Sequence, residues 1–141
     1  DILFKQIQAN CVITPHDGEY KRLFRFKGDR LVRARSAAKL SGSVVLLKGG
    51  DCVVAAPDGR AAFLTNATPD LATAGSGDVL AGLVLGLLAQ ACEPYIAACM
   101  ASWIHGEIGR RIGSGLVSED LHHEIPEILG ELRFLRSLLG N

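Results

Sequence analysis

The chain has 141 residues, 48% of them hydrophobic and 21% charged, and fifteen basic residues balance fifteen acidic ones for a net charge of zero. That composition supports one packed domain and excludes a disordered chain. The neutral balance gives no electrostatic basis for nucleic acid or an anionic membrane as partner.

The start, Asp1-Ile-Leu-Phe-Lys5, is charged and amphipathic, unlike a secretory leader. Cys11-Val-Ile-Thr14 is a short β-branched run stopped by Pro15, which predicts a buried strand. Asp17 is placed to cap a following helix, with Glu19 in its first turn and Leu23 and Phe24 on its buried face. Lys27-Gly28-Asp29 reads as a turn. Residues 30–40 read as a second helix, with Leu31, Ala34, Ala37 and Ala38 inward, Arg30, Arg33 and Lys39 outward, and Gly42 ending it. The basic run Arg25, Lys27, Arg30, Arg33 and Arg35 is expected to be a solvated face.

Ser43 to Lys48 is the strongest strand. Gly49-Gly50-Asp51 turns the chain into Cys52 to Ala56, and Pro57-Asp58-Gly59 turns it again into Ala61 to Thr65, a short antiparallel meander. A helix is expected from about Ser76. Val79, Leu80, Leu83, Val84, Leu87 and Leu88 form one face and the small residues Ala81, Gly82, Gly86 and Ala89 the other, so it reads as buried all round. Its apolar run ends at Cys92, short of the roughly 20 residues that a bilayer span needs. Pro94 opens the next helix, to about Gly113, with Ile96, Cys99, Met100, Trp103, Ile104 and Ile108 inward. Ser118 caps a last helical region that Pro126 is expected to break in two. Strands alternating with helices, plus the meander, predict an α/β sandwich. The four cysteines, Cys11, Cys52, Cys92 and Cys99, form no CxxC pair, which reads as reduced thiols in a cytoplasmic setting.

Three segments carry candidate chemistry. In Leu71-Ala-Thr-Ala-Gly75-Ser76-Gly77-Asp78-Val-Leu-Ala-Gly82, a glycine turn runs straight into a helix N-terminus, so backbone N–H groups and the helix dipole can converge on an anion such as phosphate. Asp78 beside that anion fits a base acting on a hydroxyl that attacks phosphate, or alternatively a helix cap shared with Ser76. In Lys48-Gly49-Gly50-Asp51-Cys52, an ammonium and glycine N–H groups at a strand end suit a phosphate, or form an ordinary hairpin. In Thr14-Pro15-His16-Asp17-Gly18-Glu19, His16 lies just past a strand end, as a ligand contact or a local cap. His105, His122 and His123 read as surface or helix-packing residues. No P-loop, dinucleotide glycine fingerprint, nucleophile elbow or metal-ligand cluster is present in the sequence.

In this order and spacing, TPH-x-GE, LKGG and ATAGSGDVLAG resemble the ATP/ADP-dependent NAD(P)H-hydrate dehydratases of the ribokinase-like superfamily, from about Cys11 to Ser118-Glu-Asp-Leu121. The resemblance implies a ribokinase-like three-layer α/β/α sandwich, of which residues 1–141 would be the C-terminal part of a single domain. It implies a repair enzyme that spends ADP or ATP, with Mg2+, to dehydrate hydrated NADH or NADPH. Asp78 would be the base and touch the substrate together with His16. Lys48, Gly49, Gly50, Asp51 and Cys52, with Gly75, Ser76 and Gly77, would bind the nucleotide. Asp17 stands where the family usually has Pro, and Cys52 where it usually has Thr. The expected partners are small molecules and either a second copy or the N-terminal half of the domain, without which the segment is expected to be inactive. A ribokinase-like kinase of a small alcohol or vitamin precursor, and a non-catalytic remnant, are the alternatives.

Overall fold

The computed structural model describes Phe4, Gln6, Ile7 and residues 10–139, so most of the charged start falls outside the described residues. Strand β1 (Val12–Ile13) leads through helices α1 (Asp17–Leu23) and α2 (Arg30–Ser41) to β2 (Val44–Leu47), which lies parallel to β1. Strands β3 (Cys52–Ala55) and β4 (Ala61–Leu64) then add antiparallel, giving the sheet order β1-β2-β3-β4. A single 3₁₀ turn (Pro69–Leu71) precedes α3 (Ser76–Ala89), α4 (Pro94–Ile112) and α5 (Ser118–Leu139).

The period-2 geometry of a strand divides the buried residues between the two faces of the sheet. Val45, Leu47, Val53 and Ala55 meet Tyr20 and Phe24 at α1 and Ala34, Ala37 and Ala38 of α2. Val44, Leu46, Cys52 and Val54 meet Leu80 and Val84 of α3 and Ala98 and Ala101 of α4. Helix α5 packs outside α3 and α4 through Leu121 and Ile128 against Ile104 and Ile108. The result is the expected three-layer α/β/α sandwich around a meander.

Several expectations about facing change. In α1, Tyr20 and the C-cap Phe24 are buried one turn apart, which leaves Leu23 exposed. Helix α3 is not buried all round. Its outer side, with Ala81, Gly82, Leu85 and Gly86, is open, and a Cβ on either glycine would meet nothing within 4 Å. In α4 the inward residues are Ala97, Ala98, Ala101, Ile104 and Ile108, whereas Ile96, Met100 and Trp103 are exposed. Small residues face inward because they let α4 lie close to the sheet and to α3. Pro126 does not break the last helix, which runs unbroken through it. The cost of an interior proline, about 3 kcal/mol, is offset by Leu121 and Ile128, both fully buried on either side of it. Gly42 ends α2 as expected, in the left-handed region with φ of 68°. Among the described residues, no helix is long and apolar enough to cross a membrane.

Candidate active site

Parallel pairing of β1 and β2 continues past both strand ends. The Lys48 N–H donates to the Pro15 carbonyl at 2.8 Å, and His16 bridges to Lys48. Two segments far apart in sequence are thereby set side by side at the carboxyl end of the strands, where open α/β sheets hold ligands. His16 is also the N-cap of α1. Its Nδ1 accepts from the N–H groups of Gly18 (2.9 Å) and Glu19 (3.3 Å), and the Glu19 carboxylate accepts the His16 N–H at 2.7 Å. This reciprocal box replaces the predicted Asp17 cap. It also assigns Nδ1 as an acceptor and leaves the proton on Nε2, which lies 3.5 Å from the Glu19 carboxylate. Gly18 is required here, since a Cβ would lie 2.8 Å from the His16 ring.

Asp17, freed from capping, takes a different role. Its Oδ2 accepts from Arg30 Nη1 at 2.8 Å, and its Oδ1 lies 2.8 Å from Arg33 Nη1 as an ion pair too poorly aligned for a hydrogen bond. Partial burial opposes the Asp17 charge, but the Arg33 and Arg30 guanidiniums outweigh it and hold its pKa below the usual carboxylate range. Arg30 and Arg33 are therefore half-buried ion-pair partners, which corrects the expected solvated face.

The Lys48 ammonium sits 3.8 Å from Glu19 and extends toward α3, where a Cβ on Gly77 would be 3.1 Å from its Nζ. The Glu19 pKa is lowered, first by its bond from the His16 N–H and further by the Lys48 charge. The charged end of β2 and the glycine turn thus share one space. In that turn Gly75 has φ of 85°, and its carbonyl accepts the N–H groups of Asp78 (2.9 Å) and Val79 (3.2 Å). Neither Ser76 nor Asp78 caps the helix, so the capping alternative finds no support in the geometry. Among the described residues, no acceptor meets the N–H groups of Gly49, Gly50, Asp51 or Gly77. The Cys52 thiol closes the loop with a weak bond to the Gly49 carbonyl at 3.6 Å.

Ser76 turns inward instead. Its hydroxyl lies 2.9 Å from Nε2 of His105 on α4, which is also 3.1 Å from the Ser76 carbonyl. Both residues are buried. His105, which the sequence offers only as a packing or surface residue, lies 29 positions from Ser76. Burial depresses the His105 pKa and Lys48 adds to this, against the opposing bond to the Ser76 carbonyl. The imidazole is therefore neutral near pH 7. A histidine with a depressed folded pKa stabilises the fold above its ordinary value of 6.5, and that stability is lost as the pH falls through the folded pKa. His105→Gln, which keeps a donor near the Nε2 position, is expected to flatten the fall in Tm between about pH 6.5 and 5. An unchanged pH slope in the variant would refute the assignment.

A cavity of about 800 Å³ collects most of these groups. Its walls include His16, Lys48, Gly49, Gly50, Asp51, Cys52, Ser76 and Gly77 from the predicted set, and Thr68, Thr73, Leu80 and His105 besides. Gly75 and Asp78 are not in the wall. Asp78 is exposed, one residue beyond Gly77. A more open depression of about 480 Å³ borders Glu19, Arg22 and Leu23 but has no glycine turn, so the chemistry concentrates in the first cavity. Among the described residues, no group of three or more His, Cys, Asp or Glu side chains is placed to hold a metal ion.

A sequence profile of the NAD(P)H-hydrate dehydratase family matches residues 1–129. The bifunctional NAD(P)H-hydrate repair enzyme Nnr of Salinibacter ruber is 43% identical over 139 residues, which are 93% of this chain and 26% of that protein. The crystal structure of the ADP/ATP-dependent NAD(P)H-hydrate dehydratase from Bacillus subtilis, co-crystallized with ATP/Mg2+, superposes with a TM-score of 0.77 at 28% identity, over 85% of this chain and 47% of that one. A ribokinase-like superfamily protein from Enterococcus faecalis V583 superposes with a TM-score of 0.73 at 26% identity, over 85% and 44% of the two chains. The sandwich is thus of the ribokinase-like kind, and the chain spans about a quarter to a half of the length of these proteins.

Proposed function

Because the chain belongs to the NAD(P)H-hydrate dehydratase family, we propose that the polypeptide containing it uses ADP or ATP to remove water from hydrated NADH or NADPH, a lyase reaction that restores the normal cofactor. The observation that carries this reading is the meeting of His16, the Lys48–Cys52 segment, and Ser76 with Gly77 around one cavity. The unmatched N–H groups of Gly49, Gly50, Asp51 and Gly77, with the Lys48 ammonium, form a donor set suited to phosphate. Transfer of the terminal phosphoryl group to the ring hydroxyl turns that hydroxyl into a better leaving group, and elimination of phosphate with loss of a ring proton regenerates the dihydronicotinamide. In this scheme Asp78 accepts the hydroxyl proton. The N–H groups at the start of α3 stabilise the charge on the transferred group, and His16 addresses the hydrated ring through Nε2. With no side-chain cluster to hold a metal among the described residues, Mg2+ would enter on the nucleotide's own phosphates.

The segment is proposed to be the C-terminal part of one dehydratase domain. Exposed Leu85, Met100 and Trp103 support its association with the remainder of that domain or with a second copy. The setting proposed is the cytoplasm, where reduced thiols and dihydronicotinamide cofactors coexist.

The test is recovery of dihydronicotinamide absorbance from hydrated NADH and NADPH by the longest natural polypeptide containing this sequence, with ADP or with ATP. Recovery that requires nucleotide and releases inorganic phosphate is the expected result. A folded, nucleotide-binding polypeptide that gives no recovery would refute the dehydratase, and a stable phosphorylated small alcohol as product would put a kinase in its place.

A further inference from the structure

Arg30 is the first residue of α2, and no motif that carries the chemistry includes it. Its guanidinium nevertheless makes four hydrogen bonds. Nη2 donates to the carbonyls of Leu47 (3.0 Å) and Lys48 (2.9 Å), Nε donates to the carbonyl of Asp51 (3.0 Å), and Nη1 donates to the Asp17 carboxylate (2.8 Å). The last residue of β2 and two of the four residues of the β2–β3 turn are therefore gripped from one side by a single rigid fork. The fit is close, because a Cβ on Gly49 would lie 2.5 Å from Nη2. Gly49 is needed at this point to let the guanidinium in.

The direction of those bonds has a consequence for the opposite side of the turn. All peptide bonds among the described residues are trans. In a trans peptide the carbonyl and the following N–H point in opposite directions. Holding the Leu47 carbonyl toward Arg30 sends the Lys48 N–H the other way, and that N–H is indeed found on the Pro15 carbonyl. Holding the Lys48 carbonyl in the same manner sends the N–H group of Gly49 away from Arg30, and Gly49 lines the cavity. The Asp51 carbonyl fixes the far end of the turn, where Cys52 enters the β3–β4 ladder opposite Leu64. A cation on the carbonyl side also polarises each peptide, so its N–H becomes a better donor.

We propose that Arg30 is a positioning residue of the nucleotide site, clamping the carbonyls of the Lys48–Cys52 turn so that its N–H groups face the phosphates. Asp17 completes the device by fixing the guanidinium and joining it to the segment that carries His16. This inference rests on the proposed nucleotide role of the cavity and deepens it, because Arg30 acts through the loop and does not touch the ligand.

The experiment compares the full natural polypeptide with its Arg30→Met and Arg30→Lys variants, and with Arg35→Met, an exposed residue of the same helix, as control. Two quantities are read: the Kd for ADP with Mg2+ by calorimetry, and amide hydrogen exchange at Gly49 to Cys52 in the unliganded protein. Arg30→Met is expected to weaken ADP about tenfold or more, the equivalent of one charge-assisted hydrogen-bonding group, and to speed exchange in the turn. Arg30→Lys, whose point charge cannot reach three carbonyls, is expected to show the same signs at smaller size. Arg35→Met is expected to bind and exchange as the unaltered protein does. If Arg30→Met fails to fold, Arg30→Lys carries the test. A folded Arg30 variant that binds ADP within about twofold of the unaltered protein, with unchanged exchange, overturns the positioning role while leaving the nucleotide site intact. Failure of the unaltered polypeptide to bind ADP or ATP overturns the site itself, and the positioning role with it.

Discussion

Replacing Asp78 by Asn in the full polypeptide is expected to lower the rate of nucleotide-dependent dehydration by about 10²-fold or more, the range for loss of a general base, with ADP affinity changed by less than about threefold. The substitution conserves size and polarity, so the turn and helix keep their shape, but an amide cannot take a proton from the attacking hydroxyl. Position makes this carboxylate suitable. It stands in the first turn of α3, one residue past Gly77, and it caps nothing. Asp78 is exposed and directly follows Gly77, which with Ser76 lines the cavity. A substrate hydroxyl approaching a phosphate held by the turn would meet it from outside. Single-turnover assays separate the chemical step from binding. Activity within about fivefold of the unaltered protein would remove Asp78 from the base role and leave the anion site as the whole of the catalytic apparatus on this segment.

Leu46→Ala is expected to destabilise the domain by about 2–5 kcal/mol, the range for emptying a buried leucine site. Leu46 is fully buried in β2, paired with Val54 across the β2–β3 ladder, and packed in the cluster that includes Leu80, Val84, Ala98 and Ala101. The same strand delivers Lys48 to the site, and α3 delivers the glycine turn. The two elements that must meet at the cavity are therefore held together by the contacts this substitution removes. Urea unfolding monitored by circular dichroism measures the loss as a lower midpoint at an unchanged slope. A midpoint shift equivalent to less than about 1 kcal/mol would mean that the α3 and α4 layer is held by something other than this core.

The elements and the three chemical segments are legible in the sequence because their signals are local. Glycine and proline punctuate the meander, β-branched runs mark the strands, and a glycine turn leading into an apolar helix announces an anion site at Gly75–Gly77. The sequence offers Asp17 as the N-cap of α1 although His16 fills it, since both side chains carry an acceptor at the right offset and only the Glu19 reciprocal bond decides between them. Facing was harder to read. Helix α4 carries two apolar stripes. Periodicity favours the bulky one, with Ile96, Met100 and Trp103, whereas the sheet takes the small one, with Ala97, Ala98 and Ala101, because closeness of approach is set by the partner surface. Helix α5 keeps Pro126 in its interior for a related reason, burial on both sides of a local defect.

By itself, the sequence determined the α/β class, the turns, the glycine-rich anion motif and, through resemblance, the family. Which of these residues share a space was decided only by the tertiary structure. Parallel pairing of β1 with β2 put His16 beside Lys48, and the packing of α4 on α3 put His105 under Ser76. The Arg30 fork reaches forward from the start of α2 to carbonyls 17 to 21 positions later in the chain. Each of these contacts depends on where a whole helix or strand lies, and hydrogen-bond reach of about 3 Å leaves no trace in the spacing of residues so far apart along the chain.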